Sequence, residues 1–272
     1  MADKKLLFTE EEWGAAAADV AREMDDYAPR FCTAISKHLG DHGEPWGTGS
    51  FLKLDGRIFI LTNEHVVNVR SPTQLLLYQL RDQEDVHPIL GDHLCFRWPL
   101  DTALLPVEPS AWDTSGHGSK AITTDMIAVT HEPVPTELLM FAGFSGERSK
   151  FHFNTLITRW TSSTAREVPL PKGERLKPQF HFALDYRPDS AMNVVGTHGL
   201  PRPPGFSGSA VWNTRFVESR MAGEPWTPEW ARVTGLVWGW PSSIGCIVAT
   251  RSKYVRSFLL FASELLSNGA SL

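Results

Sequence analysis

Three side chains at separate points of the chain, His65, Asp101 and Ser207, have the types needed to turn an alcohol into a nucleophile. A serine hydroxyl attacks poorly until a base removes its proton. Neutral imidazole, with a pKa near ~6.5, suits that task at neutral pH. A carboxylate beside the ring fixes its tautomer and stabilises the imidazolium that forms. Ser207 lies in Pro203-Pro204-Gly205-Phe206-Ser207-Gly208-Ser209-Ala210-Val211-Trp212. Glycines on both sides allow a sharp turn and close approach of a reacting group. Such a turn can aim the N–H groups of Gly205 and Ser207 at one point, the geometry that stabilises an oxyanion.

The local contexts of the other two fit. His65 ends the apolar run in Leu61-Thr62-Asn63-Glu64-His65-Val66-Val67, and Asp101 leads directly into the apolar run Thr102-Ala103-Leu104-Leu105. Asp92 is the fallback acid, weaker because no strand follows it directly. Gly143-Phe144-Ser145-Gly146 repeats the serine motif, but Glu147 and Arg148 follow, so Ser145 reads as a polar turn at a strand end. Neither serine has the G-x-S-x-G spacing of an α/β-hydrolase elbow.

Short strand-like runs must position these groups. Phe31–Ile35, Thr48–Leu54, Arg57–Thr62, Leu75–Leu80, Ile89–Trp98 and Thr102–Val107 suggest a closed antiparallel unit, with a two-residue hairpin at Asp55-Gly56. Residues 109–123 read as a linker. Leu138–Phe144, Phe151–Trp160, Gln179–Tyr186, Ser209–Trp212, Arg232–Trp238 and Cys246–Ala249 form a second set. Arg166–Pro178 and Val217–Pro228 read as surface loops between them. Thr9 and Glu12 form a capping box opening a helix through about Met24. Tyr254, Phe258, Phe261, Leu265 and Leu266 mark a C-terminal amphipathic helix. The expected division is residues 1–28 as a helical extension, 29–112 as a first β-barrel with His65 and Asp101, and 113–272 as a second with Ser207 and the last helix.

Bulk properties narrow the partners. A net charge of −5 over 272 residues gives no reason to expect nucleic acid or an acidic membrane. No apolar run approaches the ~20 residues that span a bilayer, and no signal-peptide core follows Met1. Cys32, Cys95 and Cys246 are odd in number and set in apolar runs, which predicts reduced thiols and a cytoplasmic location. With no C-x-x-C and no H-E-x-x-H, no metal and no cofactor is expected.

Four segments in order resemble the trypsin/chymotrypsin-like serine proteases, in the style of the disulfide-free HtrA-type and intracellular bacterial branches. They are Gly47-Thr48-Gly49-Ser50-Phe51, Thr62–Val67, Asp101–Leu105 and Gly205–Val211, joined by Val233-Thr234-Gly235-Leu236-Val237-Trp238-Gly239. The resemblance implies an all-β fold of two antiparallel six-stranded barrels flanked by an N-terminal and a C-terminal helix. It implies a Ser207-His65-Asp101 triad, an oxyanion hole at Gly205 and Ser207, and hydrolysis of protein or peptide substrates through an acyl-enzyme. Pro201, Val237, Trp238 and Gly239 would border the substrate. Three positions depart from the family. Phe206 replaces an Asp or Asn, so activation by a freed N-terminus is not expected. Glu64 replaces a small residue before the histidine and should point away from Ser207. Pro201 stands where an aspartate would select basic side chains. Phe206 and the N-terminal helix together predict a resting state released by a regulatory protein partner, in a setting such as bacterial defence. The competing readings are a catalytically weak binding or scaffold protein and a serine esterase on the same fold.

Overall fold

The computed structural model describes residues 10–40, 43–68, 74–114, 116–152, 155–191, 194, 199–241 and 245–269. Thr9 of the capping box lies outside them. Helix α1 (Glu10–Tyr27) opens the described chain. A first sheet follows, made of β1 (Cys32–His38), β2 (Gly43–Leu54), β3 (Arg57–Thr62), β4 (Leu75–Gln79), β5 (Val86–Pro88), β6 (Leu94–Phe96) and β7 (Thr102–Pro106). Its spatial order is β5-β4-β1-β2-β3-β7-β6, with antiparallel pairing throughout. The second sheet uses β8 (Leu139–His152), β9 (Thr155–Ala165), β10 (Glu167–Val168), β11 (His181–Asp185), β12 (Ala210–Asn213), β13 (Arg232–Gly239) and β14 (Cys246–Arg251). Its order is β10-β11-β14-β13-β12-β8-β9, again antiparallel. Short helices α2 (Glu64–Val67), α3 (Pro109–Trp112) and α4 (Phe216–Ala222) interrupt the strands, and α5 (Ser252–Ser267) ends the fold.

Each sheet therefore has seven strands where six were expected. In the first, only Leu94–Phe96 of the run Ile89–Trp98 is a strand, and the extra strand, β5, lies just before that run. Gly91 turns the chain at φ +84°, leaving β5 before it and β6 after it. In the second, the run Phe151–Trp160 is shared between β8 and β9, and the segment read as a loop after Arg166 adds two residues of β10. The loop expected over Val217–Pro228 begins as α4, whose first turn rests on a buried carboxylate: Glu137 accepts the N–H groups of Val217 and Glu218. Residues 109–123 are not a free linker. Beyond the end of β1, Ile122 bonds Phe51 and Lys53 of β2 and is fully buried.

The Asp55-Gly56 hairpin forms as expected. Both residues have positive φ, 49° and 81°, as a tight turn matched to strand twist requires. Four apolar clusters occur among the described residues, the smallest being Ala183, Cys246 and Val248, and the three larger ones hold the sheets together. One lies within the first sheet, around Phe51, Ile60 and Tyr78, and one within the second, around Phe141, Phe182 and Phe206. The third joins the sheets, with Leu52 and Phe59 from one side, Met140 and Trp212 from the other, and both terminal helices docked on it. Val20 and Met24 of α1 are buried there, so that helix is part of the core and not an appendage. The buried face of α5 is Val255, Phe258, Leu259 and Ala262. Phe261, expected on that face, is 40% exposed. No described helix is long and apolar enough to cross a membrane.

Candidate active site

His65 sits in the first turn of α2, just past the end of β3, and Asp101 precedes β7, which pairs with β3. The Thr62↔Ala103 register therefore brings the two loops side by side. The Asp101 carboxylate holds His65 twice. Its Oδ2 lies 2.6 Å from Nδ1, and its Oδ1 accepts the His65 backbone N–H at 3.0 Å. A carboxylate at Nδ1 leaves the proton there and makes Nε2 the basic atom. Asp101 adopts φ +47°, a conformation that Asp tolerates better than most residues. Asn63 Nδ2 donates to the Asp101 carbonyl at 2.7 Å and holds that turn in place. The Asp101 side chain is 6% exposed and that of His65 45%, so the acid is shielded while the ring remains reachable. Glu64 turns to Asn68 Nδ2 at 2.9 Å and faces Arg97 at 3.9 Å. The fallback Asp92 is exposed and is not the partner of His65.

Ser207 occupies a turn fastened from three directions. Its carbonyl accepts the Thr48 N–H of β2 at 2.9 Å, and Thr48 Oγ1 donates to the Gly205 carbonyl at 2.7 Å. The Gly208 N–H bonds Val237 of β13 at 2.9 Å. Phe206 is 1% exposed and packs edge-on against Phe141 and Tyr186, with centroids 5.2 and 6.0 Å away. At this turn an aromatic plug stands in the place of the ion-pairing residue that the resemblance would supply.

Close approach makes specific glycines necessary. A Cβ on Gly205, at φ +106°, would strike the Phe144 carbonyl, and one on Gly208, at φ +92°, the Thr48 carbonyl. A Cβ on Gly47 would lie 3.0 Å from Val66 Cγ1 and 3.5 Å from the Ser207 carbonyl. Gly47 thus lies between the Ser207 turn and the residue that follows His65.

Backbone accounting singles out two donors. The N–H groups of Phe206, Gly208 and Ser209 are bonded to Pro203, Val237 and Phe206. Those of Gly205 and Ser207 donate to no described group. Unspent amides in a half-buried turn are what an oxyanion site requires. Ser207 Oγ and His65 Nε2 are not hydrogen-bonded to each other or to another described residue.

The other expected residues divide. Ser145 is fully buried inside a bulge of β8, not at a strand end. Its hydroxyl donates to Arg202 O and accepts the Glu147 N–H, so it is committed to structure. The Pro201 carbonyl accepts Tyr186 OH at 2.6 Å. The Val237 side chain is buried and its backbone is spent on Ser209 and Gly208. Trp238 and Gly239 are half-buried, and a Cβ on Gly239 would meet nothing within 4 Å. No group of three or more His, Cys, Asp or Glu side chains placed to hold a metal ion occurs among the described residues.

Sequence reasoning missed the braces of the acid. His181 Nε2 donates to the Pro99 carbonyl at 2.8 Å, and Thr250 Oγ1 to that of Leu100 at 3.0 Å. Both come from the second sheet and fasten the segment that carries Asp101. Lys177 N–H donates into His181 Nδ1 at 3.0 Å, which fixes the proton on Nε2. Burial holds the His181 pKa below its ordinary value, with Arg251 adding to the effect and the Pro99 bond and Asp101 opposing it. No spacing or motif in the sequence links these residues to Asp101.

No protein-family model and no curated protein sequence matches the chain. Solved structures do. A serine endoprotease from Yersinia pestis is similar over 91% of this chain and 66% of its own, with a TM-score of 0.50 and 13% identity. The Rv3671c protease from M. tuberculosis, in its active form, is similar over 89% of this chain and 85% of its own, with a TM-score of 0.50 and 14% identity. The two seven-stranded sheets are the two barrels of a trypsin/chymotrypsin-like fold.

Proposed function

We propose that the chain is a serine endopeptidase in which Ser207, His65 and Asp101 act as a triad. The observation that carries this reading is the pair of unspent amides, Gly205 and Ser207, on a clamped turn facing the sheet that holds an Asp101-oriented imidazole. In the reaction, Ser207 Oγ attacks the scissile carbonyl while its proton passes to His65 Nε2. The carbonyl oxygen takes the negative charge and is held by the two amides. The imidazolium then gives its proton to the departing amine, which leaves an ester on Ser207. Water, deprotonated by His65, cleaves that ester and restores the hydroxyl. Asp101 stabilises the cationic ring in both halves. In an enzyme without substrate the nucleophile–base contact is often open and tightens on binding, which fits the unbonded Ser207 and His65.

Phe206 and the N-terminal helix together lead to the expectation of a regulatory partner. The burial of Phe206 among Phe141 and Tyr186 supports the opposite reading, a turn already set in the isolated chain. The N-terminal helix likewise belongs to the core through Val20 and Met24.

The test uses a fluorophosphonate probe on the purified chain, followed by turnover of matched peptide and ester substrates. Labelling of wild type and not of Ser207→Ala, with cleavage of peptides, supports the proposal. Ester turnover without any peptide cleavage would favour the esterase, and no labelling would favour the binding protein.

A further inference from the structure

Beside the triad lies a group of aromatic and cationic side chains that the reaction above does not use. Strand β13 carries a bulge between Val237 and Gly239, which leaves Trp238 as the extra, unpaired residue. A bulge re-aims the side chain it contains. Trp238 is half-buried, and its indole N–H is enclosed without an acceptor among the described residues. Buried donors are normally satisfied, so an orphan needs a reason. Next to it His181, 5.0 Å from the Trp238 ring, holds the Pro99 carbonyl. Trp98, one residue earlier, is 43% exposed and donates Nε1–H to the Arg175 carbonyl at 3.3 Å. The Arg175 guanidinium lies 5.8 Å from the centre of the Trp238 ring, and Lys177 Nζ lies 5.8 Å from that of Trp98.

This assembly is tied to both ends of the catalytic machinery. Trp98 lies three residues before Asp101, and Val237, next to Trp238, accepts the Gly208 N–H beside Ser207. Its charge is unbalanced. The loop carries Lys172, Arg175 and Lys177 against Glu174, all exposed, and neither Arg175 nor Lys177 is ion-paired among the described residues. The protein as a whole has a net charge of −5, so this basic rim is a local feature.

We infer that Trp98 and Trp238, rimmed by Arg175 and Lys177, form a subsite for an acidic side chain of the peptide substrate, next to the scissile bond. The rings supply apolar contact, and the two cations, which no described carboxylate pairs with, bind the carboxylate of the substrate. This rests on the proposed peptidase reading and adds its substrate class, peptides with Asp or Glu near the cleavage site.

The test separates the two. Fluorescence anisotropy is measured on the Ser207→Ala chain with a labelled peptide rich in Glu and with the same peptide carrying Gln. Binding is expected to favour the Glu peptide by about tenfold at low salt, as two exposed charge pairs allow. The preference should shrink at about 0.5 M salt, where screening is strong. In Arg175→Glu/Lys177→Glu on the same background, the Gln peptide should bind as well as or better than the Glu peptide. Equal binding of both peptides to the parent chain, or a Glu preference that survives the double reversal, overturns the subsite. Fluorophosphonate labelling of wild type is read independently, so failure of the peptidase reading would be seen as such.

Discussion

Thr48 on the first barrel and Ser207 on the second are joined by a backbone hydrogen bond of 2.9 Å, from the Thr48 N–H to the Ser207 carbonyl. The same threonine uses its hydroxyl twice. Oγ1 donates to Gly205 O at 2.7 Å and accepts the Phe144 N–H at 2.9 Å. One residue therefore sets the carbonyl directions on both sides of the turn whose amides remain free. Thr48→Val keeps the backbone bond and the shape but deprives two polar groups of their partner. Losses of ~1–3 kcal/mol per unsatisfied group are typical. We expect kcat/KM to fall by about one to two orders of magnitude, with labelling of Ser207 slowed and not abolished.

The acid has its own test. In Asp101→Asn the side chain can still accept the His65 backbone N–H, but the ring loses its carboxylate and its tautomer preference. A fall in kcat of ~10⁴ is expected, from comparable changes in triads of this kind. Asn63→Ala removes the 2.7 Å bond that holds the Asp101 carbonyl. It should cost roughly tenfold and leave the thermal midpoint less affected than kcat.

Phe206 answers for stability as well as for the turn. Truncation to Ala leaves a cavity between Phe141 and Tyr186 and should cost ~3–5 kcal/mol in urea unfolding. Phe206→Leu should recover most of that loss. Phe206→Asp buries a carboxylate among aromatic rings without a counter-charge, and the soluble yield of folded protein should drop sharply.

Much of the architecture was legible because it is written locally. Asp55-Gly56 dictates a hairpin, and the alternating apolar runs around it dictate strands. His65, Asp101 and Ser207 stand out as candidates because each lies at one end of such a run. What escaped depended on contacts between distant segments. Gly91 alone gives little sign that only Leu94–Phe96 of the run Ile89–Trp98 is a strand, and the two-residue β10 is too short to have a pattern. The braces His181 and Thr250 reach Pro99 and Leu100 across 82 and 150 positions of sequence. The buried Glu137 that starts α4 is likewise 80 residues from Val217, so nothing near Val217 in the sequence marks the helix.

Two buried histidines contribute to acid sensitivity. His131 bonds Thr234 Oγ1 and Glu167 Oε2 and stacks on Phe182, and His181 bonds Pro99 and Lys177. Burial holds both pKa values below the ordinary ~6.5, with Arg251 acting in the same direction on each, while Glu167 and Glu132 oppose it at His131 and the Pro99 bond and Asp101 at His181. A base depressed in the fold favours folding while neutral. That stability is complete above about 6.5 and is lost as pH falls through the folded values. The thermal midpoint should therefore drop as pH is lowered from 7 towards 5. His181→Gln, which can still donate to Pro99 but does not titrate, should lose less over that range.

The central claim is that Ser207 is the activated nucleophile. Purified wild type is incubated with a fluorophosphonate, digested and mapped by mass spectrometry, beside Ser207→Ala and His65→Ala. One adduct per chain on the Ser207 peptide, absent from Ser207→Ala and slowed at least about a hundredfold in His65→Ala, is the predicted result. An unmodified Ser207 peptide in folded wild type, or an adduct on Ser145 instead, would contradict it.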